Sequence, residues 1–499
     1  MRKLVFLLCA CFAAWAGAVR PPGVAGTFYP SDPKELAQMV DGFLAQATPA
    51  PAPGLMAIVA PHAGYQFSGH VAAWSYALLK GRKYQRVVVI APSHYEAFSF
   101  AAVYDGEAYS TPLGRVPVDQ AFAKKLAAAG GPIRLSSRGH QTGGNQNEHA
   151  LEVQLPFLQR TMGDVQIVPV IMGDQDYEIC RALGLALARL VHGSDTLIVA
   201  SSDLSHFHTY DEAVRIDHKT LHAIEEWDYL SMARNFEQRI WEACGGGPII
   251  ATMIAAERLG ADHARVLKYA NSGDVTTDRS RVVGYGAVAL VKEGGRAGDA
   301  APGFNLSAAD RAELLRIARG SVESMVRDRK PYEFDVPLPE ALAHERGAFV
   351  TLKERGNLRG CIGYVAPMKP LAVTVREVAA YAALRDTRFR PVGAAELPEL
   401  EYEVSVLSPM RRVLDVARIV PGRDGLLMKR GGVEGLLLPQ VAKEEGWDRG
   451  TFLEETCRKA GLPSNCWQDA ATDIFSFTAL VFGQSRRESR SPTPAGGRF

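Results

Sequence analysis

Two apolar segments of this chain end in nearly the same words, Ile58-Val59-Ala60-Pro61-His62 and Val89-Ile90-Ala91-Pro92-Ser93-His94. A third, Ile198-Val199-Ala200-Ser201-Ser202-Asp203-Leu204-Ser205-His206, closes the same way. Strands buried on both faces read as unbroken apolar runs, and open parallel sheets bind ligands beyond the carboxyl ends of their strands. The imidazoles of His62, His94 and His206 and the carboxylate of Asp203 are therefore expected to converge on one crevice. Imidazole and carboxylate together are the donors of a metal centre.

The alternation continues along the first part of the chain. Apolar runs predict strands at 56–60, 87–90, 166–171, 196–200 and 282–290, interleaved with helical stretches at 33–44 and 181–190. Asp32-Pro33-Lys34-Glu35 carries the N-cap, first-turn proline and capping-box glutamate that start a helix. This pattern predicts an α/β domain over 19–292, built on a doubly wound, mostly parallel sheet. At 499 residues and 47% hydrophobic content the chain is long enough for a second core. The small-residue run Glu293-Gly294-Gly295-Arg296-Ala297-Gly298 begins a linker over 293–304. Beyond it, helices and strands lose strict alternation, so a smaller α+β domain is expected over 305–482, followed by a disordered tail at 483–499.

Residues 1–18 read as a signal peptide: Arg2-Lys3, an apolar stretch from Leu4 to Trp15, then Ala16-Gly17-Ala18. The stretch is too short to span a bilayer. Export to the periplasm or outside the cell is expected, with no stable membrane insertion after cleavage. Cytoplasmic residence is the alternative, if the stretch is instead a buried first element. Lys plus Arg total 56 against 55 for Asp plus Glu, so the net charge of +1 offers no footprint for nucleic acid. Past the leader five cysteines remain, Cys180, Cys244, Cys361, Cys457 and Cys466, an odd number with no C-x-x-C pair. Cys457 and Cys466 are a candidate disulfide in an oxidising compartment.

Eleven of the twelve histidines precede the linker, which assigns any imidazole-rich site to the first domain. Cys244 precedes Gly245-Gly246-Gly247-Pro248 and a helical stretch, and a helix N-terminus favours the thiolate that binds metal. Its alternative is a small buried hydrophobe. Glu148-His149-Ala150-Leu151-Glu152 is a third cluster, suited to lining the crevice or holding the ligands from behind. On a helix Glu148 and Glu152 would share a face, which an exposed charged surface explains equally well.

These motifs, with Ala25-Gly26-Thr27-Phe28-Tyr29-Pro30, Ala63-Gly64-Tyr65 and Cys244-Gly245-Gly246, together resemble the Memo family over about residues 19–292. That family is similar in fold to class III extradiol dioxygenases. The resemblance implies His62, His94 and Cys244 as metal ligands, and Asp203 and His206 as proton-transfer groups. The dioxygenases carry a carboxylate where this chain has the cysteine. Two neutral imidazoles and an anion leave coordination positions open, which suits iron, and a thiolate raises copper or zinc as alternatives.

In the second half, Asn357-Leu358-Arg359-Gly360-Cys361-Ile362-Gly363, Asp386-Thr387-Arg388 and Gly435-Leu436-Leu437-Leu438-Pro439 resemble the AMMECR-type domain. Arg359, Cys361 and Arg388 are its candidate surface: glycines let backbone approach a ligand and a guanidinium holds an anion. The structural alternative makes the glycines a bend, Cys361 core and Arg359 an ion-pair partner. Families resembling both halves belong, with a radical S-adenosylmethionine enzyme, to the AmmeMemoRadiSam system, so that enzyme is an expected partner. Its cluster-binding cysteine triplet is not in this sequence. The expected function is mononuclear metal-dependent redox chemistry on a small molecule or peptide. The alternatives are a non-catalytic ligand- or peptide-binding module and a metal-dependent hydrolase.

Overall fold

The computed structural model describes residues 18–143, 147–191, 195–294, 306–334 and 338–484. Nearly all of the predicted leader and linker, and the tail beyond 484, lie outside the described residues. The described chain gathers into two compact units. One contains residues up to His222 and Trp241–Gly295, and the other Ala223–Ile240 and the chain after the linker.

In the first unit the four apolar runs Leu55–Ala60, Thr196–Ser201, Arg86–Pro92 and Gln166–Met172 lie side by side and parallel. Their interior residues are fully buried because helices cover both faces, as unbroken apolar sequence requires. Val282–Val291 extends this core antiparallel to Leu55–Ala60 and carries His263–Asn271 and Asp203–His208 beside it. On the far side Ala101–Val103 and Ile133–Leu135 complete nine strands. His62 and His94 each follow a central strand by two residues, as the sequence predicts. His206 does not. It sits inside the separate strand Asp203–His208, whose pairing with Val282–Val291 slips on both sides of it. Such bulges bend a strand and re-aim its side chains.

The predicted first helix is Pro33–Gln46, and the Asp32 carboxylate accepts the N–H groups of Lys34 and Glu35. Gly246–Arg258 is apolar on all sides and buried along most of its length. A three-stranded sheet of Val19–Arg20, Ala108–Thr111 and Gly114–Pro117 ties down the N-terminal segment.

The second unit holds a seven-stranded antiparallel sheet running Asn357–Tyr364, Ala348–Glu354, Leu400–Leu407, Asp473–Gln484, Asp424–Arg430 and Val433–Leu437, with Arg411–Arg412 on the long strand. Helices Ala308–Arg327 and Leu371–Leu384 pack over one apolar cluster, and Arg449–Lys459 over another. Glu354–Asn357 is the turn of a hairpin, with Arg355 and Gly356 at positive φ. Ala223–Ile240 belongs to this unit. Within it Glu226 meets Arg346 in a buried two-bonded ion pair (2.7 and 2.9 Å), and the ring of Tyr229 stands 6.1 Å from that of Phe475. Cys457 and Cys466 form a disulfide.

Gly360 shows what the Arg-Gly-Cys phrase is for. A Cβ there would lie 2.1 Å from the carbonyl oxygen of Ala382, so the glycine lets the strand meet a helix and offers no room to a ligand. Gly360→Ala is expected to cost about 1–3 kcal/mol through overpacking. Calorimetry would show it as a lowered midpoint for the second unit, with the first unit unmoved.

Candidate metal centre

Ser201, the last residue of a central strand, sets the geometry of the site. Its Oγ lies 2.6 Å from the carbonyl oxygen of Ala150, 2.7 Å from Nε2 of Gln154 and 2.9 Å from Nδ1 of His62. A hydroxyl has one proton to donate, and only the carbonyl must receive it. Ser201 therefore donates to Ala150 and accepts from Gln154 and His62. His62 carries its proton on Nδ1, and its Nε2 lone pair faces the sulfur of Cys244 at 3.0 Å.

His94 is held by the same logic. Its Nδ1 and its backbone N–H approach the two oxygens of Glu148 at 3.0 and 2.6 Å. An ionised carboxylate only accepts, so Nδ1 bears the proton and Nε2 the lone pair. Burial works against the charge on Glu148, but the hydrogen bonds and charge of His94 and the N–H of Ala150 hold its carboxyl below the usual range. His206 repeats the arrangement: Nδ1 lies 2.9 Å from the carbonyl oxygen of Leu204, which can only accept. Its predicted partner, Asp203, is engaged elsewhere.

The third ring of the centre is His149. Ligand atoms of His62, His94 and His149 all lie within 4.8 Å of one another, which marks these three as a metal-capable group among the described residues. The rings of His94 and His149 stack at 4.6 Å, and His62 stands edge-on to both at 5.2 and 5.5 Å. Nδ1 of His149 is buried with no hydrogen-bond partner. That nitrogen lies 3.9 Å from the Glu148 carboxylate, and three imidazoles this close together are a donor set that fits a cation. Burial, and then the crowding of the site by the other imidazoles, His94 foremost, pushes His149 down to about 4 and His62 well below the ordinary histidine value, so both are neutral, the form that binds metal.

Cys244 reaches this group at one point. Its Sγ lies 3.0 Å from Nε2 of His62 and 3.2 Å from the backbone N of Asp203, but it stands outside the set that shares the 4.8 Å limit. The sulfur comes this close because Gly245 has no side chain: a Cβ there would meet the carbonyl oxygen of Ser201 at 2.3 Å. Gln175 clamps the turn, donating to the Cys244 carbonyl at 2.8 Å and accepting from Gly247 at 2.6 Å. The expectation that a helix N-terminus would lower this thiol is corrected. Burial, and then the nearby charge of Asp203, raise it well above the ordinary value, because the helix begins only at Gly246 and the sulfur is desolvated.

Asp203 closes the floor. One carboxyl oxygen accepts the N–H groups of His62 at 2.7 Å and Ala63 at 3.3 Å, while burial pushes the group up to about 7. Burial also lowers His206, against the support of Leu204. A carboxyl near 7 and a neutral imidazole are both able to exchange protons at neutral pH. Three aromatic rings stand against the site's histidines. Phe28 lies 4.4 Å from His149, Tyr95 lies 6.3 Å from His94, and Phe207, 61% exposed and at φ 65°, lies 5.6 Å from His206. A bulky residue at positive φ is strained, and such strain gathers at functional sites.

Glu148 and Glu152 do not share an exposed helical face. Both are buried with different partners, and only 152–154 form a short 3₁₀ turn. In the second unit Arg359 is taken by Glu396 through two bonds of 3.0 Å, and Arg388 is paired with Asp386 at 2.7 Å. Cys361 is partly buried, with the hydroxyl of Thr351 donating to its sulfur. Arg359 is buried in its ion pair, so the structural alternative for Arg359 is the one observed, whereas Arg388 keeps an exposed guanidinium beside Asp386. Ser201, Gln154 and Gln175 went unnoticed in the sequence. Only Ser201, at the end of an apolar run, carried a positional signal.

The family model for Memo-like protein matches residues 20–289. The chain belongs to the Memo-like family. A MEMO1 family protein of Methanopyrus kandleri is 39% identical over 282 residues, covering 54% of this chain and 98% of that protein. Another, of Aeropyrum pernix, is 38% identical over 283 residues, covering 54% and 99%. The AMMECR1 model matches residues 315–482, so this Memo-like chain carries an AMMECR1 domain. A protein of Methanothermobacter thermautotrophicus is 44% identical over 183 residues, covering 36% of this chain and 95% of its own. A solved structure of an uncharacterised Pyrococcus horikoshii protein is 41% identical, covers 34% of this chain and 89% of its own, and has a TM-score of 0.33.

His140 is buried but outside the group. Its Nε2 donates to the Ala102 carbonyl at 2.9 Å and its Nδ1 accepts from the hydroxyl of Tyr109. Burial pushes it down to about 3, whereas the unfolded chain titrates near 6.5. Between those values the unfolded state holds a proton that the native state lacks, so stability falls as pH drops from about 6.5 toward 3. In metal-free protein, His140→Gln is expected to make the decline of the thermal midpoint between about pH 6.5 and 4.5 shallower.

Proposed function

We propose that this Memo-like protein is a mononuclear metal-dependent oxidoreductase of the dioxygenase-like kind. His62, His94 and His149 would hold the ion, iron in the first instance with copper or zinc as alternatives. The observation that carries this reading is the meeting of three imidazoles whose ligand atoms lie within 4.8 Å of one another, two of them with a proton held on Nδ1 by a buried partner. Bound iron with open positions supplies binding and activation of substrate and oxygen at one centre.

The chain's own residues do the rest. Ser201 and Glu148 keep His62 and His94 in the ligating tautomer. Asp203 and His206 hold and move a proton. Cys244, a thiol in the metal-free site, would in its deprotonated form offer a soft donor beside His62. Phe28, Tyr95 and Phe207 favour a planar substrate, either a small molecule or a peptide side chain. The AMMECR1 domain would serve as the accessory that presents substrate, and a radical S-adenosylmethionine enzyme is the proposed partner. The disulfide of the second unit supports export to an oxidising compartment.

Metal analysis and oxygen uptake test the reading. His62→Ala, His94→Ala and His149→Ala are expected to lose iron affinity by more than about tenfold, the least that removal of even an outer partner costs. Cys244→Ala is expected to retain the ion and lose oxygen uptake in a screen of catechols, thiols and indoles. Iron content unchanged in all four variants would remove the centre. Ligand binding without oxygen uptake, or turnover with zinc under anaerobic conditions, would replace the redox reading with a binding module or a hydrolase.

A further inference from the structure

The loop that carries His149 has no regular structure of its own, yet it must hold a ring to the tolerance of a metal ligand. What fixes it comes from the other end of the chain. The guanidinium of Arg20 is buried, 4% exposed, and each of its three nitrogens is used. Nε donates to the carbonyl of His140 at 2.6 Å, one terminal nitrogen to Glu152 at 2.5 Å, and the other to the carbonyl of Glu148 at 2.5 Å. The Glu148 carbonyl belongs to the peptide plane that leads into His149. The Glu148 carboxylate accepts from His94 and from the N–H groups of His149 and Ala150. Arg20 therefore holds the carbonyl side of the Glu148–His149 peptide, whose N–H side the Glu148 carboxylate holds at 2.9 Å, and rotation of that peptide would carry both rings off the site.

The same N-terminal segment grips the loop twice more. The second oxygen of Glu152 accepts from the N–H of Val24 at 3.0 Å and the hydroxyl of Tyr29 at 2.5 Å, and its first oxygen also accepts from Gly23 at 2.8 Å. Phe28 lays its ring on His149 at 4.4 Å, while its carbonyl accepts from Tyr65 at the start of the helix after His62. Tyr109 lies under the guanidinium at 4.7 Å, and Val19–Arg20 is pinned as a strand on Ala108–Tyr109. A five-donor planar cation meets these three acceptors at once, which an ammonium on a flexible stem does not.

The geometry points to residues 19–29 as a latch on the metal centre, with Arg20 as a positioning residue that builds the His149 ligand. The inference rests on the metal-centre reading and adds that ion affinity is controlled from the N-terminal strand. Arg20→Lys keeps the charge but not the three-way fork. In the full-length protein, cobalt(II) affinity, followed by its visible bands, is expected to fall about 10–100-fold. Amide hydrogen exchange is expected to speed up at 148–154. Arg346→Lys, which disturbs a buried ion pair in the other unit, is expected to lower the thermal midpoint with cobalt affinity unchanged. Phe28→Leu touches the His149 ring without altering the ion pair. It is expected to weaken cobalt about tenfold, and it stands in for Arg20→Lys if that variant does not fold.

Wild-type cobalt affinity in folded Arg20→Lys, or in Phe28→Leu where that variant stands in, overturns the latch and leaves the metal centre standing. If the wild type itself fails to bind cobalt, the functional reading falls. Exchange at 148–154 then decides the latch alone: unchanged protection in the tested variant refutes it, and lost protection upholds it.

Discussion

One proton governs the site. The Ser201 hydroxyl has three neighbours and a single hydrogen, and because one neighbour is a carbonyl, the hydrogen's direction is settled by chemistry. From that follow the tautomer of His62, the side on which its lone pair lies, and the seat of Gln154, which also reaches the carbonyl of Pro61 and the hydroxyl of Tyr76. A central strand, the loop before 150 and the helix beginning at Tyr65 are tied through this oxygen. Burial gives the arrangement its force, since a buried polar group left unpaired costs about 1–3 kcal/mol, more than any rearrangement here would recover.

The two carboxyl groups of the centre show how environment separates like residues. Glu148 and Asp203 are both buried, yet Glu148 is held below the usual range by His94 and Asp203 is pushed up to about 7. The difference lies in their partners. Glu148 faces an imidazole and several backbone N–H groups, whereas Asp203 has two amides and no side-chain cation. One carboxylate therefore anchors a ring and the other can exchange a proton, the division of labour on which acid–base sites are built.

Much of the fold could be read from the chain, because unbroken apolar runs of strand length have few places to go. Leu55–Ala60, Arg86–Pro92 and Thr196–Ser201 are such runs, and His62 and His94 follow from them. His206 was harder, since its strand is bulged and runs beside an antiparallel neighbour, where period and direction give no warning. His149 was read as a supporting residue because its loop has neither period nor cap. The guanidinium of Arg359 looked available because Glu396 lies 37 residues away and nothing local ties the two together.

The sequence by itself determined the layers of the first unit, the carboxyl-end position of two histidines and the division of the chain into two families of domain. Those features depend on hydrophobic period and local turn chemistry, which act over a few residues. Tertiary structure alone brought His149 beside His62 and His94, buried the thiol of Cys244 and seated the imidazole protons. These depend on burial and on partners far apart in the chain, as His62 is from Ser201 and Arg20 from Glu148, and no local pattern encodes such meetings.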